Sequence, residues 1–288
     1  MNAGPELALG TAQFGLKYGI AGRGEVVPPA EVRRILSVAW EGGIRLLDTA
    51  PVYGDIEARL STFIEGFDYT VISKIPPLPK GANQAEAAAF VREGIARAQE
   101  RLDGHLGGLL FHHANDLLGP YGDAVWSASA DVAHAADLKL GVSCYSPEDA
   151  LTIVRRFPLT IAQLPGNAFD QRLESYAFPT SLGVHLRSVF LQGLLLLSPR
   201  EVAARLPRGA APAQQWARWC AEQGLTRLQA ALCLAKGFSG ASHCIVGVDS
   251  TAQLEEILSA WGQAKPLRAE HLAVSDQDVI DPRKWRAV

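Results

Sequence analysis

The chain has 288 residues, long enough for two ordinary domains or for one α/β barrel of roughly 250 residues with extensions. Hydrophobic residues make up 48% and charged residues 20%, the balance of a globular protein of enzyme size. A formal net charge of −3 argues against a nucleic-acid partner, and the absence of any apolar run near roughly 20 residues argues against a membrane span. The four cysteines form neither a CxxC pair nor a disulfide framework, so reduced thiols in a cytoplasmic protein are expected.

In chain order, Leu7 to Gln13 reads as a strand, followed by a loop rich in glycine (Gly15, Gly19, Gly22, Gly24). Pro28 and Pro29 open a helix through Ala39, closed by Gly42-Gly43. Arg45 to Asp48 is the second strand, Ile56 to Ile64 a helix and Tyr69 to Lys74 the third strand. A long Ala-rich helix from Gln84 to Leu102 leads to strand Gly107 to His112, helix Asp123 to Ala136 and strand Lys139 to Val142. Helix Pro147 to Arg155, strand Thr160 to Leu164, helix Arg172 to Leu182 and strand Val184 to Ser188 follow. A helical region from Ala213 to Phe238 divides at Gly224, and His243 to Val246 and Thr251 to Trp261 make the eighth strand and last helix. The remainder is a polar tail that carries Trp285.

Eight short apolar strands alternating with eight amphipathic helices, without a linker, predict one closed (β/α)8 TIM barrel of the α/β class. It forms a single domain over residues 1–288, with about 265–288 as the C-terminal tail. The rival is an open doubly wound sheet, but no strand runs into G-x-G-x-x-G. The Gly22-Arg23-Gly24 fragment lacks the third glycine, and there is no Walker loop.

Barrel chemistry sits at the C-terminal ends of the strands. Four polar residues stand there: Asp48, Tyr53, Lys74 and His112. Each alone has an ordinary reading as a turn cap, a packing ring, a snorkelling lysine or a surface histidine. From neighbouring strands they converge. Lys74 can lower the phenol pKa of Tyr53, Asp48 can hold that lysine charged, and His112 can position a carbonyl oxygen. Such a site protonates an oxygen as charge develops on it, and carbonyl reduction then needs hydride from a cofactor. Of His112-His113 only one can face the mouth, and no carboxylate or Cys stands near, so no metal site is expected.

Taken together, these residues resemble the aldo-keto reductases. The resemblance rests on an ordered set spanning nearly the whole chain: Leu9-Gly10-Thr11-Ala12, Phe14-Gly15, Gly43-Ile44-Arg45-Leu46-Leu47-Asp48-Thr49-Ala50, Tyr53-Gly54, Glu57 and Ser73-Lys74. Later come Leu109-Leu110-Phe111-His112, Gly141-Val142-Ser143, Gln163, Asn167, Phe169-Asp170-Gln171-Arg172, Gln192-Gly193 and Ile245-Val246-Gly247. It implies the (β/α)8 barrel, a nicotinamide dinucleotide across its mouth, and Tyr53 as proton donor beside Asp48, Lys74 and His112. Ser143, Cys144, Gln163, Arg187, Gln192, Gly247, Ser250, Gln253 and Glu256 fall where the family contacts its cofactor, Ser143 and Gln163 at the carboxamide. The substrate implied is a small aldehyde, ketone or sugar, acted on by a monomer or weak homo-oligomer.

Three departures stand out. Cys144 replaces an Asn, and Arg187 replaces a stacking aromatic, its charge favouring the reduced cofactor over the oxidised ring. Around Asp249, Ser250 and Gln253 no basic residue clamps a 2′-phosphate, so NADP(H) is a family expectation that the local residues do not support, with NAD(H) as the alternative. Phe14, Tyr18, Val52, Asn115 and Trp285 are expected either at the substrate pocket or as loop packing. The leading reading is an NAD(P)H-dependent carbonyl reductase. The alternatives are a sugar 1-dehydrogenase using the same site and a nucleotide-sensing barrel with little turnover. A Schiff-base aldolase ranks last, because Asp48 should raise the pKa of Lys74.

Overall fold

Each predicted strand pairs with its sequence neighbours. In the computed structural model, which describes residues 4–22, 24–102 and 104–285, these strands are β1 (Glu6–Gly10), β2 (Leu46–Asp48), β3 (Thr70–Ile75), β4 (Leu106–Phe111), β5 (Lys139–Ser143), β6 (Ile161–Pro165), β7 (Gly183–Arg187) and β8 (Ala241–Val246). All pair in parallel and in sequence order, and β1 pairs with β8 to close the barrel. The register runs Glu6↔His243 to Leu9↔Val246 on one side of β1, but only Leu9↔Leu47 and Gly10↔Asp48 on the other.

Strand side chains alternate between the barrel interior and the surrounding helices. Leu47, Val71, Leu109, Val142, Leu164 and Leu186 face outward into the main core, joined by helical stripes such as Val32, Ile35, Leu36 and Ala39 of the helix Pro29–Glu41. The helix Gln84–Leu102 buries Ala87, Val91, Ile95, Ala98 and Leu102 at helical spacing. Its start is fixed by exchange between Asn83 and Glu86: the Asn83 Oδ1 accepts the Glu86 N–H, and the Glu86 carboxylate accepts the Asn83 N–H. Each fully buried aliphatic of this kind stabilises by about 1.5–3 kcal/mol. Inside the barrel a smaller cluster, Ile72, Leu110 and Ile161 with Leu46, forms the apolar floor below the mouth. His185 of β7 packs against His243 of β8 with ring centroids 4.6 Å apart and planes tilted by 59°; it is buried, and its Nδ1 has no partner among the described residues.

The structure corrects several sequence boundaries. The first strand ends at Gly10, and Gln13 lies instead in a four-residue helix, Ala12–Gly15. No helix joins β6 to β7: Arg172–Ser175 is a single 3₁₀ turn and Tyr176 is already extended. Pro179 accounts for this, lacking an N–H and disfavouring the helical region at Phe178. The helix Pro199–Arg205 has no counterpart in the predicted series. Its signal was the capping box Ser198-Pro199-Arg200-Glu201, in which both reciprocal bonds form. The split near Gly224 falls between the helices Ala210–Glu222 and Arg227–Gly237. The tail is less polar in effect than in composition, since Ala269, Leu272, Val279 and Ile280 are buried. Residues 286–288 of that tail lie outside the described residues. Among the described residues no helix is long and apolar enough to cross a membrane.

Candidate active site

Hydrogen bonds to backbone carbonyls fix the loop after β2. Thr11 donates its N–H and its hydroxyl to the Asp48 carbonyl at 2.9 and 3.1 Å, and the Thr49 N–H reaches the Ile72 carbonyl at 2.9 Å. The chain then turns through Ala50 to Tyr53, where the Tyr53 N–H reaches the Ala50 carbonyl at 3.0 Å. Gly15 and Gly54 let two backbones cross there. A Cβ on Gly15 would collide with the Tyr53 carbonyl, and Gly54 holds φ +66 against Gly15. This crossing places Tyr53 at the barrel mouth.

Lys74 is buried, and its ammonium donates to both Asp48 oxygens, at 2.8 and 2.9 Å, and to the Thr49 carbonyl at 2.8 Å. All three protons are therefore used. Asp48 Oδ1 also accepts the Gln163 amide N–H at 2.6 Å, and Gln163 Oε1 accepts the Ser143 hydroxyl at 3.0 Å. Because a carboxylate only accepts, this network fixes which way the Gln163 amide faces. Behind it, buried Glu57 accepts from Ser73 and, at 2.8 Å, from Arg101.

The electrostatics depart from the sequence expectation in two ways. Burial draws the Lys74 ammonium below its ordinary pKa and outweighs the opposing pull of Asp48, which was expected to raise it. Burial, followed by the Asp48 charge, pushes the Tyr53 phenol up, and the cation opposing this is Arg187 rather than Lys74. Tyr53 thus holds its proton across the neutral range. His112, just beyond β4, is drawn down to about 4 by burial and then by the Lys74 charge; it is a neutral imidazole at pH 7, and its buried Nδ1 has no partner.

A cleft of about 670 Å³ runs from Asp48, Tyr53 and Gln163 past the loop after β7 to the helix Thr251–Gln263. Gln163, Arg187, Gln192, Gly247, Gln253 and Glu256 line it. The remaining expected cofactor contacts do not. Ser143 lies behind Gln163, and Ser250 caps its helix by accepting the Gln253 N–H at 3.3 Å. Cys144 belongs to the core, where burial pushes its thiol up to about 12. Of the loop residues, Tyr18 lines the cleft and Phe14 is a core side chain. Val52 is exposed, Asn115 opens a short helix, and Trp285 packs on the core while donating to the Asp278 carbonyl at 3.1 Å.

Three features escaped sequence reasoning. Tyr145 sits between two guanidiniums, with Arg187 at 3.9 Å and Arg283 of the tail at 3.6 Å from its ring centroid. Arg227 brings a cation to the wall of the cleft, its Nε donating to the Leu196 carbonyl at 3.0 Å. The loop after β1 bridges the cleft: the Ile20 N–H reaches the Gln192 carbonyl at 3.0 Å, and Arg205 donates to the Ile20 carbonyl. Leu191, Gln192 and Gly193 form a run of positive φ at this bridge. Only the glycines gave any local signal. Among the described residues no group of three His, Cys, Asp or Glu is placed to hold a metal ion.

A parallel barrel with a phenol, a buried ammonium–carboxylate pair and an imidazole at its mouth has the arrangement of a barrel oxidoreductase. The aldo/keto reductase family model matches residues 6–277, and the chain belongs to that family, whose members are oxidoreductases that use nicotinamide cofactors. A holo-form aldo-keto reductase structure from Bacillus halodurans is similar over 94% of both chains, at 19% identity and TM-score 0.72. A glycerol dehydrogenase from Gluconobacter oxydans is similar over 92% of this chain and 88% of its own, at 18% identity and TM-score 0.66. At such identities the likeness is one of fold. No curated protein sequence matches the chain.

Proposed function

We propose that this protein reduces the carbonyl of a small aldehyde, ketone or sugar to an alcohol, with Tyr53 as proton donor. The observation that carries this reading is the meeting, in one cleft, of a protonated phenol and a guanidinium that has no carboxylate partner among the described residues. The cleft suits a dinucleotide. It has bare backbone at Gly10, Gly193 and Gly247 and offers the Gln163 amide beside Asp48 and the Arg227 cation on its wall. A Cβ on Gly247 would meet the end of the Gln13 side chain, which also lines the cleft, at 2.5 Å. When bound, a reduced nicotinamide supplies hydride.

The chain's own residues do the rest. Neutral His112 holds the carbonyl oxygen, and Tyr53 gives it a proton as negative charge develops. Lys74 and Asp48 hold the floor of the site, with Gln163 tied to both the carboxylate and Ser143. The Schiff-base reading loses its support on access, because Lys74 is buried with every proton engaged. Arg227 adds to the case for NADP(H) that the residues near Asp249 did not make. A monomer or weak homo-oligomer in the cytoplasm suffices for this chemistry.

The test is oxidation of NADPH and NADH against a panel of aldehydes, with Tyr53→Phe beside wild type. The expected loss in kcat/KM is about 10²–10⁴-fold with cofactor affinity retained. Full activity in the variant sinks the mechanism. Tight cofactor binding without turnover on any substrate favours the sensor.

A further inference from the structure

Arg187 is held by neutral groups alone. Its Nη2 donates to the Cys144 carbonyl at 3.0 Å, its Nη1 contacts the Ser188 hydroxyl at 3.3 Å, and its plane lies over the Tyr145 ring. Of five guanidinium N–H donors, two are so engaged and three are left. Two other arginines at Tyr145 differ in this respect: Arg172, which donates to the Tyr145 carbonyl at 3.0 Å, is bonded to Asp170 at 2.7 Å, and Arg283, over the Tyr145 ring, to Asp281 at 2.6 Å. Among the described residues Arg187 has no such acid. A half-buried cation left unpaired is costly, so the site is built to receive an anion.

Among the described residues nothing beside Arg187 supplies one. The Asp48 charge is spent on Lys74 and Gln163. The other groups that feel the Arg187 charge are the phenols of Tyr18 and Tyr53, the Lys74 ammonium, the neutral His112 and the Cys144 thiol, with the Tyr145 ring beneath it, and none is an anion at neutral pH. A reduced nicotinamide ring is also neutral, which leaves the cofactor's diphosphate or the substrate as the source of negative charge, and the closeness of Arg187 to the proton donor Tyr53 favours the substrate. We propose that Arg187 anchors a carboxylate, and that the substrates are small carbonyl compounds carrying one. This rests on the carbonyl-reductase reading above. Arg187 and Tyr53 share one end of the cleft, so the carboxylate and the carbonyl stand a few bonds apart, as in 2-oxo to 4-oxo acids. The planar guanidinium, pinned against Tyr145, matches the two oxygens of a carboxylate in a way an ammonium would not.

The matched probes are 4-oxobutanoate and butanal, which share a four-carbon aldehyde chain and differ in the carboxylate. The wild-type holoenzyme should show KM at least about tenfold lower for the anion, equivalent to about 1.4 kcal/mol. Arg187→Met should abolish the difference, and Arg187→Lys should retain part of it. Butanedioate, which has no carbonyl to reduce, gives a reading without turnover. In the presence of cofactor it should bind wild type saturably and Arg187→Met at least about tenfold more weakly. Equal KM values for the two aldehydes in wild type overturn the proposal and leave carbonyl reduction standing. A Met variant that loses cofactor affinity but keeps the preference for the anion also overturns it. If neither aldehyde is reduced, the functional reading fails, and the butanedioate titration alone decides the role of Arg187.

Discussion

The Lys74–Asp48 pair permits a sharp stability experiment. Its side chains are 1% and 7% exposed, and the ammonium has no acceptor beyond Asp48 and the Thr49 carbonyl. Asp48→Leu leaves a buried cation with one carbonyl for company and strips Gln163 of its acceptor. Lys74→Met leaves a buried carboxylate with only the Gln163 amide. Removing one member of such a pair costs about 3–5 kcal/mol. At about 2–4 °C per kcal/mol for a chain of this order of size, that is a fall in Tm of about 6–20 °C. The double variant removes both charges, and its remaining cost is chiefly the unpaired Gln163 amide, about 1–3 kcal/mol. The double should therefore be more stable than either single. Calorimetry at fixed scan rate, with urea unfolding at pH 7, measures all four species. Additive losses, or a single variant losing under about 1 kcal/mol, would refute the reasoning.

Three further outcomes are expected. Because His112 sits at about 4, kcat/KM should hold steady as pH falls from 8 to about 5 and decline only toward 4. An acid limb near 6.5 contradicts a neutral, desolvated imidazole. His185 is drawn to about 3 by burial and then by His243, below its unfolded value. The stability it contributes is therefore fully present above about pH 6.5 and is lost as pH falls toward 3, about 5 kcal/mol at most. Urea midpoints across pH should show a shallower acid limb in His185→Leu, and superimposed limbs would dismiss the account. The uncompensated charge of Arg187 should make wild type bind reduced cofactor at least about tenfold more tightly than oxidised, with Arg187→Met equalising the two. Equal affinities in wild type, read by fluorescence titration, contradict it.

The barrel was legible because its signals are local. Strand runs such as Leu46-Leu47-Asp48 and the period-four stripe of Gln84–Leu102 depend on neighbours within a few residues. The four residues at the mouth were legible for the same reason, as polar side chains ending apolar strands. What escaped depends on distance in sequence. Nothing near Tyr145 announces that Arg283, 138 positions later, will stack on it. Arg227 looked like an ordinary helix residue until the fold turned it toward the cleft. Arg172 to Leu182 failed differently, because a residue that breaks the helix, Pro179, stands inside the expected span. The expectation that Lys74 lowers the Tyr53 phenol missed Arg187, the cation that opposes the rise, because proximity says nothing about whether a charge is already spent. Hydrogen-bond saturation of the ammonium is visible only in three dimensions.

The closure of the barrel has a consequence for biosynthesis. β1 has two register partners on β2 but four on β8, so most of its edge is satisfied by a strand that begins some 230 residues later. At about 5–20 residues per second, that partner follows β1 off the ribosome by roughly 12–50 s. For that interval Leu7 and Leu9 belong to a strand with an open edge, the kind that pairs with whatever chain it meets. The yield of this protein should thus be limited less by the stability of the finished barrel than by how well its first strand is sheltered while it waits for the last.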